Sequence, residues 1–137
     1  MTPQTTNIRQ TLEQRRASHA WDAVQRAKSQ QGRHQGQDPK KFGGQAKKLP
    51  TRVLAAGLGQ ALAFLDAKGY APGLLAELSE WIAQRMPPAQ GAPRDLLKRI
   101  VKGDCDFLRR ATDEVLAYLV WLNRFAEAEG LTEGEGE

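Results

Sequence analysis

Much of what would narrow the chemistry at once is missing from this chain. Cys105 is the single cysteine among 137 residues, so no internal disulfide can form, which fits a reducing compartment. The two histidines, His19 and His34, have no recurring spacing with Cys105, which argues against a structural zinc site. No uninterrupted apolar run approaches the roughly 20 residues of a membrane span. The opening MTPQTTNIRQ lacks the apolar core of a secretory signal. The expectation is a cytoplasmic chain with no membrane partner. No window alternates β-branched with polar residues, so strands are not expected.

Catalytic patterns are missing too. Gly57 and Gly59 would need a third glycine at position 62 to complete a dinucleotide fingerprint, and that position is Leu62. Lys47 and Lys48 precede those glycines, so they are not phosphate-loop lysines either. Cys105 has no base or third group beside it and reads as a semi-buried filler. Asp104 and Asp106 read as charges at a helix N-terminus, not as an acid–base pair. His19 reads as a surface or boundary residue, and His34 falls in a polar loop. Trp21, Trp81 and Trp121 lie beside apolar stripes and read as packing residues, although aromatics of this kind can stack on bases. No catalytic residue, cofactor or metal ligand is assigned, and the expectation is a protein that is not an enzyme.

What is present is charge, unevenly placed. Hydrophobic content of 40% and charged content of 26% are those of an ordinary globular domain. Residues 1–60 carry eleven Lys or Arg against three Asp or Glu, whereas residues 111–137 carry one against seven. A basic N-terminal half suggests an anionic partner, of which nucleic acid is the commonest.

The chain reads as all-α, a single compact domain of about five to six helices with a long N-terminal and a long C-terminal helix. Residues 1–6 read as a flexible N-terminus, 7–130 as one helical domain, and 131–137 as a disordered acidic tail. The first helix is expected over 7–31, capped by Asn7, with Trp21 supplying most of its buried area. A second starts at Asp38 and Pro39 and continues, kinked by Pro50, to about residue 56. Others are expected over 58–68, 72–85 and 93–102, the last with Leu96, Leu97, Ile100 and Val101 inward. Leu54, Leu58, Leu62 and Leu65 share one helical face by spacing. The final helix is capped by Asp104 and runs to about residue 129, packing Leu108, Ala111, Val115, Tyr118, Leu119, Leu122, Phe125 and Ala126. On its outer side Arg109 with Asp113 and Arg110 with Glu114 are expected i,i+4 pairs.

Three blocks then carry a family resemblance: RRASHAWDAVQ at 15–25, KKLPTRVLAAGLGQALAFL at 47–65, and YLVWLNRFAE at 118–127. In this order they resemble the small subunit of the type III-B CRISPR RNA-targeting effector, the Cmr complex. The resemblance implies a helical, non-catalytic subunit that stacks in several copies beside the crRNA-bound backbone subunits. It also implies a place beside the target-RNA groove, with target cleavage left to the backbone and nucleotide chemistry to the large subunit. The family offers no catalytic residue to transfer, so candidate contacts come from the charge pattern. They are Lys40, Lys41, Lys47, Lys48 and Arg52, with Arg15, Arg16 and Arg26, touching phosphates without reading sequence. The competing expectation is a protein-only assembly module whose basic face meets acidic surfaces of other subunits. The acidic end could also engage a basic patch on a neighbouring copy.

Overall fold

Caps and breakers written into the chain decide where its helices start and stop. In a computed structural model describing residues 9–132, the elements are α1 (Leu12–Lys28), α2 (Pro39–Ala56), α3 (Leu58–Lys68), α4 (Pro72–Arg85), α5 (Leu96–Lys102) and α6 (Cys105–Ala128). A single 3-10 turn, Gly32–His34, joins α1 to α2, and no strand occurs among the described residues. Asp38 accepts from the Lys40 amide with Pro39 at the first helical position, and Asp104 accepts from the Phe107 amide. Gly57, at φ 90°, ends α2 and separates it from α3, and Gly69 closes α3 in the left-handed region. Helix α2 runs through Pro50, as the expected continuation required.

Some expectations shift. Asn7 lies outside the described residues, and α1 begins later, where Thr11 and Gln14 form a reciprocal capping box. It also ends at Lys28, ahead of residue 31. Helix α5 begins at Leu96, not 93, because Asp95 caps it through the Lys98 amide. Val101 is 73% exposed, since it lies about 140° around the helix from Leu96. Leu54 is 76% exposed, because the break at Gly57 takes it out of register with Leu58 and Val53 fills the core in its place. Leu108 stays partly exposed while Phe107 packs against the core. Trp21 is 43% exposed, so Trp81, at 2%, is the tryptophan that fills the interior. Cys105 is exposed, not semi-buried.

The core forms where α6 packs along α1 and α2, with α3, α4 and α5 closing the other side. Ala20, Ala23, Val24 and Ala27 let α1 approach α6 closely. Gly43 serves the same purpose on α2, where an added Cβ would overlap the Leu131 carbonyl oxygen. Leu131 is itself buried and its amide donates to the Ala126 carbonyl, so packing continues one residue past Gly130. No described helix is long and apolar enough to cross a membrane.

Candidate nucleic-acid interface

Helix α2 is amphipathic in an uneven way. Phe42, Gly43, Gly44, Gln45, Ala46, Leu49 and Val53 turn inward, and Lys40, Lys41, Lys47 and Lys48 stand exposed. Lys41, Lys48 and Arg52 follow each other at spacings of seven and four, one line along the helix. From Lys41 to Arg52 this line rises about 16 Å. Arg52, partly buried, donates from Nη1 to Gln45 Oε1 at 2.7 Å, and its guanidinium lies 4.5 Å from the centre of the Phe64 ring. Lys41 Nζ sits 5.7 Å from the Tyr70 ring at the other end of the row. Beside Arg52 a cleft of about 320 Å³ is lined by Ala55, Ala56, Gln60, Ala61 and Phe64. Five of the eight expected contacts therefore share one helix and one surface.

The three cations of α1 are placed differently. Arg15 is exposed and borders a cleft of about 310 Å³ with His19, Asp22, Arg26 and Glu80. Arg16 grips Glu114 with both branches of its fork, Nε to Oε2 at 2.7 Å and Nη2 to Oε1 at 2.9 Å, and reaches Glu13 with Nη1. Arg26 holds Glu77 the same way, at 2.9 and 2.7 Å. Only 1% of Glu77 and 5% of Glu114 is exposed. Arg16 and Arg26 thus neutralise carboxylates in the interior, and paired guanidinium–carboxylate geometry is the strong form of that contact.

Each carboxylate gathers further donors. Glu77 Oε2 accepts from His34 Nε2 at 2.8 Å, and Glu114 accepts from the Trp81 indole at 2.9 Å and from Arg85. Burial pushes the Glu77 carboxyl up, but the hydrogen bonds from Arg26 and His34 overcome it and hold the group at about 2. Glu114 is lowered too: burial opposes the shift, and Arg16 and Trp81 decide it. His19, hydrogen-bonded through Nδ1 to the Tyr118 hydroxyl, is lowered by burial against the pull of Glu77 and Glu80. His19, Glu77 and Glu80 bring potential ligand atoms within 4.8 Å of one another. A divalent cation there would have to displace the Arg26 fork from Glu77, so the donor set suits a guanidinium better than a metal.

This network also corrects the expected outer ladder of α6. Arg109 pairs with Asp106 at 2.7 Å, Arg110 approaches the same carboxylate at 4.0 Å, and Glu114 turns inward. His34, expected in a polar loop, is buried at 1%, and Gly73 leaves room for its ring. Glu77 lies between Leu74 and Leu78, and Glu114 between Ala111 and Val115, each carboxylate on an otherwise apolar stripe. That placement was the available signal for an internal pair with an arginine. Phe64 and Tyr70 carried no comparable signal for their α2 neighbours, because Arg52 and Lys41 come from another helix.

The family described as CRISPR-associated protein (Cas_Cmr5) matches residues 12–129, from the first turn of α1 to the end of α6. The chain belongs to the Cmr5 family. The Thermus thermophilus protein called CRISPR system Cmr subunit Cmr5 is 33% identical over 114 residues, covering 82% of this chain and 90% of that protein. The crystal structure of a CRISPR-associated Cmr5 family protein from the same organism superposes with a TM-score of 0.70 at 31% identity, covering 90% of this chain and all of that one. Within this Cmr5-family fold, the three resembling sequence blocks fall in α1, across α2 and α3, and in α6.

Proposed function

We propose that this chain is a non-catalytic structural subunit of a type III-B Cmr effector in the cytoplasm, stacking beside the crRNA-bound backbone and lining the target-RNA groove. The observation that carries the RNA contact is the exposed row Lys40, Lys41, Lys47 and Lys48 with Arg52 at its end, on the side of α2 opposite the core. Such a row neutralises phosphates and releases counterions without reading bases. Arg15 can add to it from α1. Arg16 and Arg26 support the reading indirectly, by holding α1 on the body that carries α2.

The test is single-stranded RNA binding by the purified chain, alone and mixed with the crRNA-bound backbone, at about 50 and 200 mM salt. Binding that weakens steeply with salt and strengthens in the mixture is expected. Lys47→Glu with Lys48→Glu should lower RNA affinity while co-assembly survives. Failure of assembly, with normal RNA affinity in whatever assembles, would favour the protein-only module. One observation supports that second reading: Trp21 is exposed against Phe125, which also meets Trp121, on the α1–α6 side, a surface suited to protein. Truncation after Leu131 tests the acidic end, and unchanged self-association would remove any role for it in stacking.

A further inference from the structure

The α2–α3 hairpin offers more than charge. Phe64 and Tyr70 are 39% and 40% exposed, whereas Trp81 and Tyr118 are almost completely buried. Each is approached by a cation from α2: Arg52 stands 4.5 Å from the Phe64 centre and Lys41 Nζ 5.7 Å from the Tyr70 centre. Lys68, one turn beyond Phe64, places its Nζ 5.7 Å from that ring as well. The cleft beside Phe64 is lined by Ala55, Ala56, Ala61, Gln60 and Arg52. An apolar alanine lining joined by an amide and a guanidinium suits a planar aromatic ring attached to an anion.

From these contacts we infer that Phe64 and Tyr70 are stacking platforms for bases of single-stranded RNA, set at the two ends of the lysine row. The inference rests on the reading that α2 faces RNA and adds what that reading leaves out, contact with the bases. Charge complementarity chooses the occupant. Tyr70 meets Lys41 and Phe64 meets Arg52 and Lys68, with Lys48 between them along α2, a mixture of rings and cations that matches a strand in which each base hangs from a phosphate. A docked apolar helix would need a continuous apolar strip, and here cations interrupt it. Arg52 and Lys41 lie about 16 Å apart along α2, so the platforms would hold bases several nucleotides apart. Stacking of this kind tolerates any base, because every base has a π-face.

The experiment compares oligouridine RNA with an abasic ribose-phosphate strand of equal length, bound to the full chain alone and in the assembled complex. Phe64→Leu and Tyr70→Leu keep apolar bulk at exposed positions and remove the aromatic face, with the hydroxyl at position 70. The wild type should prefer oligouridine, and each leucine variant should lose about tenfold of affinity for it. The abasic strand should bind all forms alike, with the salt slope unchanged, since no phosphate contact is removed. Leucine variants that bind oligouridine like the wild type, with the usual salt dependence, would overturn the platforms and leave the phosphate reading standing. Leucine variants that lose assembly and keep the base preference would overturn them in favour of a protein contact. Salt-independent binding, or none, by the wild type in both states would remove the RNA reading itself, and the platforms with it.

Discussion

Arg26 on α1 ends 2.7 Å from a carboxylate that is 1% exposed, whereas Lys40, Lys41 and Lys48 on α2 stand in solvent. The two helices contribute the same sign of charge to the basic half of the chain, yet they put it to different ends. Residue chemistry explains the split. A guanidinium is planar, weakly hydrated and able to satisfy both oxygens of a carboxylate at once, so it suits the inward side of α1. A lysine ammonium is strongly hydrated and held on a flexible stem, so it costs little to leave in water and can follow a mobile phosphate strand. The lesson is that net charge counts cations without saying which are available. Of the eight cations first considered as contacts, two are already occupied by Glu77 and Glu114.

The comparison can be broken most severely at Glu77. Glu77→Gln preserves volume but leaves Arg26 and His34 facing a neutral amide, and should cost roughly 3 kcal/mol, read by urea unfolding with tryptophan fluorescence. A variant as stable as the wild type would mean that Arg26 is only a surface charge. Acid should act in the same direction. Because the folded Glu77 titrates at about 2, below its ordinary 4.5, its contribution is complete above about 4.5 and is lost as pH falls toward 2. Glu114 is lowered as well and adds to the same loss. Melting temperature should therefore fall across that window, and the fall should be shallower in Glu77→Gln.

Smaller changes sharpen the contrast. Arg26→Lys keeps the charge and removes the fork, so about 1–2 kcal/mol should go, again by urea unfolding. Lys48→Glu should change stability by no more than about 0.5 kcal/mol. Its effect should appear in RNA binding, where one lost phosphate contact makes the logarithmic salt slope shallower by about 0.7. A large loss of stability in Lys48→Glu would erase the distinction between the two helices.

Much of the architecture was determined by sequence alone, because the deciding interactions are local. Asp38 with Pro39, Asp104, Gly57 and Gly69 each act on backbone within a turn of themselves, and α2 and α3 begin and end, and α6 begins, close to where those residues place them. The exposed lysines of α2 were legible for the same reason, since the helical period alone puts them opposite Phe42, Leu49 and Val53. Tertiary structure decided which charges were left over. Arg26 meets Glu77 across 51 residues, and Arg16 meets Glu114 across 98. Helical periodicity records which side of its own helix a residue occupies, and nothing in it records which helix will pack there. Phe64 acquired Arg52 and Tyr70 acquired Lys41 in that way, and His34 its place in the core.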